Sequence, residues 1–183
     1  MKLGSFHVLL VAAALAFLWA GAGSISSARA DDDASRKYPL LAAYIYNFTQ
    51  FTTWPANAVG DEFKVCIVGK SPFGASLDPM KSRTVQGKKI AVHHFGGGEG
   101  EIAACNIVFV SPSASGDAKS IVARLKAAPV LTMSESGGFS DAGGMVEFTP
   151  ADGKIGIAIS LPAVRAAGLS ISSKLLSLAN VKG

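Results

Sequence analysis

The chain has 183 residues, with 17 Lys or Arg against 13 Asp or Glu, a formal charge of +4. No run has the dense Lys/Arg character of a nucleic-acid surface, so nucleic acid is set aside as a partner. Two cysteines with no further Cys or His at ligand spacing make a poor metal set, and neither a metal nor a cofactor is expected.

Lys2 supplies a positive start, residues 6–22 are apolar or small apart from His7, and Ala28-Arg29-Ala30 is an A-x-A site before Asp31-Asp32-Asp33. That order is that of a secretory signal over residues 1–30, cut after Ala30, which places the working protein in the periplasm. A membrane anchor is the other reading of the apolar run, since a span needs about 20 residues. The A-x-A site and the acidic residues after it favour cleavage. Loss of Lys2 and Arg29 lowers the formal charge from +4 to +2. Residues 31–183 amount to a single domain, long enough to bury about 68–70% of its unfolded surface without staples.

Residues 31–35 read as a polar, frayed start. Pro39 suits the first turn of a helix, where its missing N–H costs little. Leu40, Leu41, Tyr44, Ile45, Phe48 and Phe51 then recur at three- and four-residue steps as one apolar face. The helix should end before Pro55. Residues 63–69 (FKVCIVG) are apolar and β-branched and predict a buried strand. Ser71-Pro72-Phe73-Gly74 predicts a helix start, with Ser71 as N-cap and Pro72 at the first helical position. A second strand spans residues 89–95, a flexible link Gly96-Gly97-Gly98, and a third strand 105–111 (CNIVFVS). A helix over 117–128 leads to a fourth strand at 129–134 (PVLTMS). Residues 145–148 and 154–159 flank the turn Asp152-Gly153 and predict a hairpin. Helical stretches near 161–167 and 172–179 close the chain.

Alternating strands and helices imply crossover units and a parallel sheet, and continuous apolar strands imply cover on both faces. The expected fold is a three-layer α/β sandwich with a mainly parallel sheet and a C-terminal β-hairpin that adds antiparallel edge strands.

In an oxidising compartment Cys66 and Cys105 are most simply a disulfide, two buried free thiols being the other reading. Neighbouring parallel strands lie about 4.8 Å apart and bridged Cα atoms about 4.4–6.8 Å apart. A bridge therefore requires the first and third strands to be neighbours and staggered. It would close a loop of about 40 residues, contributing roughly 3–4 kcal/mol in the chain-entropy account. A redox switch, the alternative to a staple, would need an exposed and strained bond.

Catalytic signatures are missing. There is no G-x-S-x-G elbow and no H-E-x-x-H helix. Gly69-Lys70-Ser71 repeats the end of a phosphate loop, but Lys64 stands where the first glycine is needed and Pro72 follows. His93 and His94 are adjacent on a strand and point to opposite faces, so they do not chelate as a pair. No enzymatic activity is expected. Ligands of open α/β sheets sit beyond the carboxyl ends of strands. Gly69, Ser71 and Phe73 after the first strand, with Ser134, Glu135 and Phe139 after the fourth, are thus candidates to border one crevice. A periplasmic small-ligand receptor is the function that crevice would give.

Four blocks carry a family resemblance. They are Tyr46-Asn47-Phe48 with Phe51 and Trp54-Pro55; Gly69 with Pro72-Phe73-Gly74; Pro129-Val130-Leu131-Thr132 with Ser134, Phe139 and Gly143-Gly144-Met145; and residues 167–176 (AGLSISSKLL). In this order, over about residues 38–181 and behind a signal, they resemble the YfiR family of exported proteins. The resemblance implies a mainly parallel α/β fold, a homodimer, and a non-enzymatic periplasmic regulator. Such a regulator represses a membrane-bound diguanylate cyclase through the cyclase's periplasmic sensor part, and so controls cyclic di-GMP and biofilm formation. It also implies that Cys66 and Cys105 match a cysteine pair of the repressor whose oxidation state matters. A second pair near Gly143 is missing here, Glu135 stands where relatives often carry Asp, and Ser160 where many carry Asn.

Overall fold

The computed structural model describes residues 25–97, 100–151 and 154–183. The chain divides after Lys37 into two compact units. Of the first, residues 25–37 are described, and they are helical. The expected signal therefore lies mostly outside the described residues. The stretch 31–35, expected to fray, is helix instead, in keeping with the helix-forming Ala, Arg and Lys around it.

Helix α1 (Ile25–Phe51) contains Pro39 in its interior rather than in its first turn. Past that proline it buries Leu41, Ala42, Ile45 and Phe48, while Leu40 stays 43% exposed. The apolar stripe is thus one residue narrower than the sequence spacing suggests. The chain continues as β1 (Thr52–Thr53), β2 (Glu62–Val68), a 3-10 turn (Gly74–Leu77), α2 (Asp78–Lys81), β3 (Thr84–Val85) and β4 (Lys88–Phe95). A 3-10 turn (Ile102–Ala104) leads to β5 (Ile107–Val110), another (Pro112–Asp117) to α3 (Ala118–Leu125), and then come β6 (Leu131–Ser134), β7 (Val146–Ala151) and β8 (Lys154–Ser160). The chain closes with α4 (Leu161–Ala166), β9 (Ser170–Ile171), α5 (Ser173–Leu176) and β10 (Asn180–Lys182).

Eight strands form one sheet in the order β10-β8-β7-β6-β5-β2-β4-β3. The run from β7 through β6, β5 and β2 to β4 is parallel throughout. β7 and β8 are the expected hairpin, with Val146 opposite Ile159 and Ala151 opposite Lys154. Its turn, Asp152-Gly153, lies outside the described residues. The hairpin is not the edge: β10 pairs in parallel with β8 and covers it. Three residues are too short to show a period-two pattern, so this strand is invisible in the sequence.

Apolar side chains fill both faces of the sheet. On one, α1, α2, α4 and α5 pack against Phe63, Val65, Ile67, Ile107 and Phe109. On the other, α3 and the turn at Ile102 pack against Cys66, Val68, Val108 and Val110. Burial on alternate faces of the same strands gives the three-layer α/β sandwich the sequence predicts. The helix expected to open at Ser71 starts later. Ser71 Oγ accepts from Phe73 N–H at 3.4 Å, but Gly74 takes φ +51° and interrupts any helix begun at Pro72.

Candidate functional site

The carboxyl ends of β2, β5 and β6 lie side by side, with β5 in the middle. The chain leaves β2 for β4 on one side and returns from β4 to β5 on the other, so the switch of strand order falls between β2 and β5. There the two loops are packed together. Gly69, at φ +89°, has no room for a Cβ, which would stand 2.7 Å from Ser113 Oγ. Ser113 Oγ accepts from Lys70 N–H at 2.7 Å and shares a hydrogen with Ser111 Oγ at 2.8 Å.

The structure separates the residues expected to share a crevice. Gly69 and Ser71 follow β2, whereas Ser134 ends β6, two strands away. Ser134 is buried and donates to the Val110 carbonyl at 2.7 Å. Glu135 next to it is half-buried. Phe73 packs on one face of the sheet, edge-on to Phe109 at 4.9 Å. Phe139 packs on the opposite face, its ring filling the space a Cβ on Gly144 would take. The two phenylalanines therefore do not line a common cleft. Lys70, whose backbone N–H makes the bond to Ser113, is itself exposed.

Cys66 and Cys105 are joined in a disulfide with Cα atoms 6.2 Å apart. β2 and β5 are neighbours, with Cys66 opposite Val108. Cys105 sits three residues earlier, before β5 begins, which supplies the stagger. Both cysteines are buried. Over the bridge lies a pocket of about 280 Å³, lined also by Lys64, His93, Phe95 and Glu101. His93 stands directly beside Cys66 in the β2–β4 register. A second pocket of about 310 Å³ lies between α1 and α2, bordered by Pro39, Tyr46, Met80 and Arg83.

Asn106, next to the bridge, ties four segments together. Its Oδ1 accepts from Lys64 N–H at 2.8 Å, its Nδ2 donates to the Ala58 carbonyl at 2.8 Å, and its carbonyl accepts from Leu131 N–H at 2.9 Å. Trp54 Nε1 donates to that same carbonyl. All this happens at 2% exposure, where an unmet polar group is costly.

Glu147 was not singled out by the sequence. It lies on β7, buried, opposite Ser134. Its carboxylate accepts from Gly138 N–H at 3.1 Å, Ser140 N–H at 2.8 Å and Ser140 Oγ at 2.7 Å. Burial pushes this carboxyl up, but the two backbone N–H groups, the Ser140 hydroxyl and the Lys182 ammonium outweigh it and hold it below the usual glutamate range. Lys182 on β10 donates to Ser140 Oγ at 2.7 Å and to Asp141 at 3.1 Å. The carboxylate thus shapes the loop after β6. A glutamate between Val146 and Phe148 is the one sequence signal for it, because a charge inside an apolar strand must find donors.

The sequence blocks have structural duties. Phe48 and Trp54 are core residues, and Trp54 stands edge-on to Phe63 at 4.9 Å. β1 pairs antiparallel with β9, so the first and last blocks meet: Thr52 faces Ile171, and Ser172 N–H donates to the Phe51 carbonyl at 2.9 Å. Lys174 Nζ lies 5.4 Å from the Phe51 ring centre. Ser172 Oγ caps α5 by accepting from Lys174 N–H. Thr132 Oγ1 accepts from Met145 N–H.

No helix among the described residues is long and apolar enough to cross a membrane. No curated protein matches the chain. A solved structure, the crystal structure of a conserved domain protein from Vibrio cholerae O1 biovar El Tor strain N16961, is similar in fold. It has a TM-score of 0.50 and 10% sequence identity over 66% of this chain and 54% of that one. The chain therefore spans about half of that protein's length. A family model whose members are YfiR/HmsC-like matches residues 38–180.

Proposed function

The chain belongs to the YfiR/HmsC-like family, and from that premise we propose that it is a non-enzymatic regulator of the periplasm. It reaches that compartment through a signal cleaved after Ala30. There it binds and represses the periplasmic sensor part of a membrane signalling protein, a diguanylate cyclase, and so restrains cyclic di-GMP and biofilm formation. The observation that carries this reading is the family match, which runs from the second half of α1 into β10 and takes in the whole sheet but part of its last strand. In support, the buried polar groups described above serve each other. Asn106, Thr132, Ser134 and Glu147 are engaged in holding loops and strands together. The disulfide acts as a staple in this proposal, since both cysteines are buried.

The test is deletion of the gene, with cyclic di-GMP measured in the cells. A rise, reversed by the gene carried in trans, is the expected result. Unchanged levels across several growth conditions would overturn repression of a cyclase. Turnover of a substrate by the purified protein, abolished by replacing one side chain, would overturn the non-enzymatic reading.

A further inference from the structure

The outer edge of β4 is only partly covered. β3 pairs with it at Lys88 and Lys89 alone, and Ile90 N–H donates to the Arg83 carbonyl at 3.2 Å. From Ala91 to Phe95 no described segment pairs with β4 on that side. The inner side fixes which groups remain. Phe95 carbonyl accepts from Gly69 N–H at 2.8 Å, toward β2. Bonding groups alternate along a strand, so Ala91, His93 and Phe95 turn theirs to β2 while Val92 and His94 turn theirs outward. Two N–H and two C=O groups therefore face away from the sheet in extended geometry, which is the template an added strand needs.

The side chains select the strand. Lys88, Lys89, His93 and His94 lie along the edge, Arg83 borders it, and residues 88–95 hold no carboxylate. Glu62 stands opposite Lys89 on β2. On the face that carries Ala91, His93 and Phe95, the pocket over the disulfide opens beside the edge, with Lys64 in its wall and Glu101 its one carboxylate. A second copy of this edge would set histidines against histidines and bring no acidic partner, whereas an acidic strand meets Lys88, Lys89 and Arg83 at the start of the edge and Lys64 in the pocket wall.

We propose that the β4 edge from Ala91 to Phe95 docks an extended acidic segment of a partner protein, which joins the sheet as a further strand and directs a side chain toward the pocket over the Cys66–Cys105 bridge. Backbone bonds at Val92 and His94 supply the affinity, and the basic rim supplies the choice of partner. The identification of that partner with a membrane signalling protein rests on the function proposed above.

The probe is a seven-residue peptide of alternating Val and Glu, read by amide hydrogen exchange on the full secreted chain. The Val92 and His94 amides should exchange readily without peptide and slow at least about tenfold in its presence. The same peptide with Lys for Glu should leave them unchanged. Val92→Pro removes an N–H that the β2 ladder does not use, and should weaken peptide binding by about tenfold. If that variant does not fold, His93→Asp with His94→Asp keeps the backbone intact and should favour the Lys peptide over the Glu peptide. Three results would overturn the proposal: no slowing, equal slowing by the Lys peptide, or slow exchange without peptide that deepens with protein concentration, the mark of a second copy on the edge. Capture from membranes separates this inference from the proposed function. A membrane signalling protein held equally by wild type and Val92→Pro sinks the edge and leaves the regulator standing. Amide protection by the Glu peptide, with no such protein captured by either chain, sinks the regulator and leaves the edge.

Discussion

Trp54 Nε1 donates to the Asn106 carbonyl at 3.2 Å, across 52 residues of sequence. The bond fastens the segment after α1 to the start of β5, where Asn106 already holds β2, β6 and the turn at Ala58.

Asn106→Ala should be the more damaging change of the pair. It leaves the part-buried Lys64 N–H and Ala58 carbonyl without their side-chain partners, at about 1–3 kcal/mol. Trp54→Phe removes one donor and keeps an aromatic ring against Phe63, at about 1–2 kcal/mol. Thermal unfolding of the two variants checks the order, at roughly 2–4 °C per kcal/mol for a domain of this size. A larger loss for Trp54→Phe would mean that ring packing, not the asparagine, organises this end of the sheet.

Cys66→Ser and Cys105→Ser should destabilise about equally, by roughly 3–4 kcal/mol, because each opens the same loop of 39 residues' separation. A reductant should bring wild type down to the level of the variants, and slowly, since both cysteines are buried. The melting temperature with and without reductant is the measurement. A variant that melts low yet still binds the partner marks a staple; loss of binding at full stability marks a switch.

Glu147 makes stability depend on acid. Its carboxyl is held below the ordinary value of 4.5 in the folded protein. The charged form therefore favours folding above that value, and this contribution fades as pH falls through the lower, folded-state value. Glu147→Gln should cost about 1–3 kcal/mol near pH 7, and the gap to wild type should narrow in acid, as the pH falls below 4.5 and through the lower folded-state value. Denaturant titrations near neutrality and in acid decide it; a gap independent of pH would show that shape, not charge, holds the loop.

Lys182→Ala should cost little, about 0.5 kcal/mol, and less still in high salt. Its partner Asp141 is 77% exposed and the lysine itself about half exposed. A loss above about 2 kcal/mol, measured by urea unfolding, would mean that β10 is held chiefly by this side chain rather than by its ladder to β8.

Much of the architecture is legible in the residues because burial writes itself as pattern. The runs around Phe63, Ile107 and Leu131 are apolar on both faces, and each is a central parallel strand. The Cys66–Cys105 pairing requires two strands to be neighbours, and β2 and β5 are. The crevice was less legible. Phe73 and Phe139 each follow a strand, but nothing in their spacing tells which face of the sheet they join, and they join opposite ones. Asn106 is hard to read because its partners Trp54 and Ala58 are about 50 residues away, and Glu147 because two of its donors are backbone N–H groups of the Gly138–Ser140 loop, which leave no mark in residue type. Val92 and His94 look like ordinary strand residues until the sheet order shows which side of β4 is left open.

The small ladder between β1 and β9 joins Thr52 to Ile171, about 120 residues apart. A chain emerging amino end first, from a ribosome or through a translocation channel, cannot close this seam until Ile171 is out. Until then the segment around Trp54 waits without its partner strand. Cuts that remove β9 should accordingly unsettle the segment around Thr52 and Trp54 first, far from the cut in sequence but beside it in the fold.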